Sequence, residues 1–398
     1  MIDIRYKILN YSSLFWKKCL APLRCLAFNY FQIKYLLIIL SITIITQSCM
    51  NDNVLQDFER LNTNETEKGI FVINEGNFMY SNASLSYYNP KTKEIINDVF
   101  YNTNALPLGD VAQSMTINNS LGYIVINNSG KIYIININTF KYVGKITGLV
   151  SPRHIYFVNE QKAYISDLYS KSISVYNPMI QQITNTIDIS NGNTEFSQHN
   201  SEMFVQSGNK VYVNSWSYDN KVLVINSISD EITDSITVGK QPNSMVIDKN
   251  NMLWVLSDGG FAGSNYGQEN ASLTQIDLQT NNIVQTLSFS DIDASPNNLC
   301  INSTKDTLYF VYGNWASSVN GSGIYQMSIN NTELPANPFI STETKTIYGL
   351  NFDKENNELY FSDAVNNTQN GFVFRYKSNG IAIDTFKVGI NPNGFCFK

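Results

Sequence analysis

The feature that most restricts the fold of this chain is a phrase repeated seven times. Each copy opens on small or polar residues, often Pro-Asn, and runs into an apolar strand. A tight polar turn and a second, apolar–aromatic–apolar strand follow. The first strand of the phrase falls at residues 113–117, 152–156, 200–204, 242–246, 296–300, 347–351 and 392–396, spaced 39 to 54 residues apart. The second strand carries an aromatic at a fixed place, six to nine residues after the first strand ends: Tyr123, Tyr164, Tyr212, Trp254, Tyr309 and Tyr360. The seventh aromatic, Phe71, has no first strand before it, and the last first strand, at the C-terminus, has nothing after it. The two half-units complete each other if the chain closes into a ring.

Third and fourth strands can be read within the units, as at residues 131–135 and 142–146 with Asn138-Thr139 between them. Four strands per unit, a period in the forties and fifties, and closure by the C-terminal strand define an all-β, seven-bladed β-propeller. No stretch of ten or more residues keeps a helical apolar period, so a mixed α/β domain loses. Composition agrees: only 15 % of residues are charged and 13 % are aromatic, a mixture suited to strands whose solubility rests on Asn, Ser and Thr. The repeated aromatic reads as packing between blades.

The N-terminal part reads differently. Lys34 precedes a twelve-residue apolar run, 35–46, which is short for a membrane span and has the length of a signal-peptide core. It ends at Thr46-Gln47-Ser48-Cys49, similar to the bacterial lipobox, with Thr46 in the place of the usual Leu. Three segments are expected: a lipoprotein signal over 1–48, whose length suggests a start codon set too early; a lipidated Cys49 with an acidic flexible tether over 49–68; and the propeller over 69–398. Two acyl chains on Cys49 anchor stably where one is marginal. Residues 1–48 hold six basic residues and one acid, so the rest of the chain carries a net −11. Such a body repels phosphate, and no nucleic-acid partner is expected. Cys300 and Cys396 lie at one point of two non-adjacent repeats and read as buried small side chains without a disulfide.

Strand order assigns the loops to two faces. Loops between first and second strands, and between third and fourth, are expected to be short. The other set is long and decorated, which is where function sits on a rigid scaffold. The rim residues expected to bind ligand are Asn77, Phe78, Tyr80, Arg153, Tyr169, Trp216, Tyr218, Asn243, Asp258, Phe261, Asn297, Trp315, Tyr348 and Asn393. Amides and aromatics with little charge suit a large neutral, amide-bearing ligand or a sugar. His154 and His199, with Glu202 as a third ligand, match no metal-site spacing, and no metal or catalytic residue is assigned. Asp167, Asp258 and Asp363 each follow a Ser at the end of a second strand and read as acceptors of turn N–H groups. Gly-x-Ser-x-Gly, P-loop and Cys-x-x-Cys motifs are absent from the body.

The run 69–78, GIFVINEGNF, followed by SLSYYNP at 84–90, resembles the opening blade of YncE-like propeller lipoproteins of Bacteroidota, among them the BtuG-type vitamin B12-binding lipoproteins. The phrases 239–245, GKQPNSM, and 391–394, NPNG, fit the same group. The resemblance implies a surface-exposed outer-membrane lipoprotein that is not an enzyme. It would capture a corrinoid and pass it to a TonB-dependent transporter of the BtuB kind. A propeller that binds surface glycan or protein, and a lactonase-like propeller enzyme, remain the alternatives.

Overall fold

The computed structural model describes residues 68–192, 195–313, 321–342 and 344–398. Cys49, the tether before Lys68 and Trp315 lie outside these residues.

Seven four-stranded antiparallel sheets follow one another along the chain. Blade 1 orders its strands Pro392–Phe397, Ile70–Asn74, Ser84–Asn89, Glu94–Ile96 from the inside out. Blades 2 to 7 have inner strands Ala112–Asn118, Pro152–Asn159, Ser201–Ser207, Pro242–Ile247, Asn297–Ile301 and Ile347–Asp353, each followed in sequence by its three outer neighbours. Each inner strand touches the inner strands of the blades before and after it, so the ring is closed. Closure is made by the antiparallel pairing of Ile70 with Phe397 and Phe71 with Cys396. Cys300 and Cys396 are buried and unpaired, their thiols pushed up to about 12 by that burial.

Apolar side chains gather into seven clusters, one at each junction between blades. The repeated aromatic stands in each: Tyr164 of blade 3 packs with Phe204, Val211 and Val213 of blade 4, and Trp254 of blade 5 with Leu308 and Phe310 of blade 6. All seven are at most 2 % exposed. Burial of such a ring stabilises by roughly 1.5–3 kcal/mol. Two of the phenols also latch onto the next blade, where the Tyr164 hydroxyl donates to Asp230 and the Tyr212 hydroxyl to Asn281 at 3.0 Å.

The short-turn face has the expected tight connections, with one exception. In blade 6 the segment 329–339 joins the third strand to the two-residue outer strand Ile340–Ser341, and is a long loop on that face. The opposite face carries residues 75–83, 189–192, 195–200 and 258–271, and the helix α1 (Val99–Asn104) between blades 1 and 2. Among the described residues no helix is long and apolar enough to cross a membrane.

Candidate functional site

Each blade begins its inner strand with a β-bulge on the loop-rich face. One more residue lies on the inner strand than on its partner, at Gln113, Arg153-His154, Glu202-Met203, Asn243, Asn298-Leu299, Tyr348-Gly349 and Asn393. A bulge frees a backbone amide and re-aims a side chain. Side-chain oxygens of the sheet accept several freed amides: Ser166 Oγ from His154 at 3.0 Å, Asn214 Oδ1 from Met203 at 2.9 Å and Ser362 Oγ from Gly349 at 2.8 Å.

The re-aimed side chains form a polar collar at the channel mouth. Asn393 donates to the Gln113 carbonyl at 2.8 Å, and Arg153 Nη1 donates to Gln113 Oε1 at 2.7 Å. Arg153 Nε pairs with the Glu202 carboxylate at 2.7 Å. Further round, Asn243 donates to the Pro296 carbonyl (2.8 Å), Asn298 to the Tyr348 carbonyl (3.1 Å), and the Tyr348 hydroxyl to Glu75 Oε2 (2.5 Å). The Arg153 guanidinium lies 5.9 Å from the Trp216 ring centroid, and Trp216 Nε1 donates to Asp258 at 3.0 Å. Asn297 sits beside Asn298 and accepts from its amide at 2.7 Å.

Enclosure sets the protonation of this collar. Burial raises the Glu75 carboxyl against the hydrogen bond from Tyr348, and raises Glu202 against the pull of Arg153. Burial also lifts Asp258 to about 6, against donors from Gly260, Trp216 and Asn243. The His154 imidazole is pushed down to about 3, first by burial and then by Arg153, so at neutral pH it is uncharged although Glu202 lies 3.8 Å away. His199 is held apart from it by Asp219, at 2.6 Å, and by Asn191. Among the described residues no group of three His, Cys, Asp or Glu side chains is placed to hold a metal.

Outside the collar runs a chain of aromatic rings over blades 3 to 5. Tyr169 meets Phe196 at 5.3 Å, Phe196 meets Tyr218 at 5.6 Å, and Tyr218 meets Tyr266 and Phe261 at 6.2 and 6.3 Å, all edge-on. Tyr218 takes a left-handed φ of 60° in the turn closed by Asp219 N–H to the Trp216 carbonyl. A bulky side chain seldom adopts that conformation, and such strain gathers at functional sites. Three blades round the ring, Phe78, Met79 and Tyr80 project into solvent with exposures of 64, 76 and 76 %. Their loop is braced by the Asn77–Asn82 side-chain pair, by Asn77 donating to the Asn367 carbonyl, and by Met79 N–H on Asp110.

The structure therefore sorts the sequence-predicted rim. Arg153, Trp216, Asn243, Asp258, Asn297, Tyr348 and Asn393 stand together at the mouth. Tyr169, Tyr218 and Phe261 belong to the aromatic chain, and Asn77, Phe78 and Tyr80 to the separate blade 1 loop. Asp167, Asp258 and Asp363 do accept turn amides, from Tyr169, Gly260 and Val365. The mouth is more charged than a rim of amides and aromatics, because Glu75 and Glu202 face Arg153 there. Gln113, Glu75 and the rings Phe196 and Tyr266 went unnoticed in the sequence. The signal for Gln113 and Glu202 was present: the residue at the bulge is polar in all seven copies. Two concavities lie away from this site: one of about 370 Å³ on the short-turn face near Asn351 and Phe397, another of about 390 Å³ beside blade 5 at Ser272 and Thr286.

Fold and site define the class: a seven-bladed β-propeller with a hydrogen-bonded polar mouth and an aromatic rim on its loop-rich face. The chain belongs to the family of the domain of unknown function DUF5074, whose model matches residues 68–390. Solved structures similar to it include a quinoprotein alcohol dehydrogenase-like protein of Bacteroides thetaiotaomicron, 15 % identical, TM-score 0.62, covering 83 % of this chain and 78 % of that one. A candidate 6-phosphogluconolactonase of Bacteroides uniformis is 12 % identical, TM-score 0.61, covering 84 % and 100 %. A protein of Lactobacillus plantarum is 12 % identical, TM-score 0.61, covering 83 % and 99 %. These likenesses are likenesses of fold. No curated protein matches the chain.

Proposed function

We propose that this propeller is a non-enzymatic capture module, held at the bacterial outer surface through a lipidated Cys49. Its loop-rich face takes up a large, neutral, amide-rich ligand of the corrinoid class and hands it to a TonB-dependent transporter of the BtuB kind. The observation that carries the reading is the unbroken chain Tyr169–Phe196–Tyr218–Phe261/Tyr266 beside a mouth lined by Asn243, Asn297 and Asn393. Flat rings give area for an apolar face, and amides supply both donors and acceptors to a ligand's own amides. Isothermal titration of the purified protein with cyanocobalamin tests it, and absence of heat at micromolar ligand refutes it.

A second reading has its own support. Glu75 and Glu202 are enclosed carboxyls raised by burial in a cleft, a pattern common at acid–base sites, and one similar structure is a candidate lactonase. Against a phosphorylated substrate, the one guanidinium of the collar is already paired with Glu202. A screen with 6-phosphogluconolactone decides: turnover that is lost in Glu75→Gln favours the enzyme.

A further inference from the structure

The collar contains one cation, and its fork is only partly used. Arg153 gives Nε to Glu202 and Nη1 to Gln113, and its guanidinium stands over the Trp216 ring. Among the described residues nothing accepts from Nη2. The bulge at Arg153-His154 takes the side chain out of the strand's ladder, and partners on blades 2 and 4 fix it between them. The Arg153 side chain is 16 % exposed and the Glu202 side chain 6 %, so the pair is largely enclosed, with Arg153 the more open of the two. An N–H fork held by three neighbours is ordered before a ligand arrives, so little entropy is lost when it is used.

The charge around it is the second observation. Glu202 is within 2.7 Å, Glu75 is close enough that Arg153 and Glu202 both act on its carboxyl, and Asp258 accepts from the indole N–H of Trp216. Tyr348 and the uncharged His154 complete the titratable surroundings and add no cation. One guanidinium thus answers to two carboxyl groups, Glu202 and Glu75, with a third, Asp258, held beyond it by Trp216. A ligand carboxylate or phosphate would be a further acid in an enclosed site, where like charges repel strongly.

We infer that Arg153 determines specificity at the mouth: its open Nη2 edge donates to a neutral carbonyl oxygen of the amide type, and the surrounding carboxyls exclude the corresponding acid. This rests on the capture reading and names the group that the mouth selects. The ligand's flat face lies on the aromatic chain while one of its amides reaches down to Arg153.

The test compares cyanocobalamin with its monocarboxylic acids, made by hydrolysing single side-chain amides and separated as isomers. Affinities are measured by isothermal titration with the full-length protein. In the wild type the isomer hydrolysed at the amide facing Arg153 is expected to bind about tenfold more weakly than cyanocobalamin, the worth of one good hydrogen bond. Arg153→Gln/Glu202→Gln removes both charges of the pair together, so that neither is left without the other, and should bind cyanocobalamin about tenfold more weakly, with the amide-to-acid ratio narrowed to within about threefold. Arg153→Lys keeps the counter-charge to Glu202 and withdraws the fork, and serves as the second variant should the double one not fold; the same loss for cyanocobalamin is expected. Unchanged cyanocobalamin affinity in these variants, or an acid isomer that outbinds cyanocobalamin in the wild type, overturns the inference while leaving capture intact. A wild type that binds no cyanocobalamin overturns both.

Discussion

Two glycines beside the point of ring closure should respond oppositely to the same methyl group. Gly349 and Gly394 lie on the neighbouring inner strands of blades 7 and 1. A Cβ on Gly349 would stand 2.3 Å from the Asn393 carbonyl oxygen and 2.8 Å from its carbon, both backbone atoms of the closing strand. A Cβ on Gly394 would meet nothing nearer than Ile73 Cδ1 at 3.6 Å, an ordinary contact. Neither glycine has a positive φ, so alanine is conformationally admissible at both. Replacing glycine then gains about 0.4–1 kcal/mol from the unfolded chain alone. At Gly349 that gain is outweighed. The obstacle is backbone, the two strands must part, and overpacking of this kind costs about 1–3 kcal/mol, with the upper half expected where no side chain can swing away. The net for Gly349→Ala is a loss of about 2 kcal/mol, against a neutral to slightly favourable Gly394→Ala. For a propeller of roughly 330 residues, with an unfolding entropy of about 2.1 cal/mol/K per residue, about 2 kcal/mol corresponds to a melting point lowered by about 3 °C. Thermal unfolding followed by circular dichroism at 218 nm, with urea titrations to compare slopes, measures the difference. If the two variants melt together, the close approach of the inner strands does not limit the ring.

Other consequences can be checked in the same way. Asp230 receives Lys162 at 2.7 Å and the Tyr164 hydroxyl, and Asp230→Asn keeps a residue at ease with its left-handed φ of 58° while losing the charge; a loss of about 1–3 kcal/mol is expected in urea unfolding. Asp258 has a folded pKa near 6 against an ordinary 3.8, so its contribution to stability is fully present below about pH 4 and fades as the pH rises through 6. The wild type should therefore gain up to about 3 kcal/mol from this group between pH 7 and 4, and Asp258→Asn should flatten that part of the profile. Tyr218→Gly relieves a left-handed backbone and should raise stability by up to about 1 kcal/mol while weakening cyanocobalamin binding at least fivefold. A variant that loses stability and keeps affinity would separate Tyr218 from the ligand.

The ring was readable in the sequence because its signals are local and repeated. Tyr123, Tyr164, Tyr212 and their counterparts mark one position of one strand, and every copy restates the period. The unpaired Phe71 at one end and residues 392–396 at the other made closure an inference from what was missing. The collar is another matter. Glu75 lies in a loop of blade 1 and meets Tyr348 across 273 positions of sequence. No pattern over neighbouring residues encodes that encounter. It depends on a bulge that turns Tyr348 inward, and the bulges were missed because one extra residue in a short strand leaves the apolar alternation almost unchanged. Arg153 was recognised as a rim residue from its place in the repeat, but its pairing with Glu202 follows from the adjacency of blades 3 and 4. The aromatic chain was half visible: Tyr169, Tyr218 and Phe261 stand in long loops, whereas Phe196 and Tyr266 gained their place only when the loops folded against each other. The long connection at 329–339 breaks the rule of short turns, and no feature of its composition distinguishes it from the decorated loops opposite.

The pairing of Ile70 with Phe397 also sets an order of events for the growing chain. The first propeller strand to be synthesised has a free inner edge until Pro392–Phe397 arrives, and Phe71 and Val72 have no strand partner on that side until then. An open, apolar strand edge invites pairing with other chains and exposes the segment to proteases. A product broken off before residue 392 would keep that edge permanently, whereas a chain carrying Pro392–Phe397 removes it in a single step. Only a chain that carries the strand Pro392–Phe397 becomes a ring without an open seam at Ile70–Asn74.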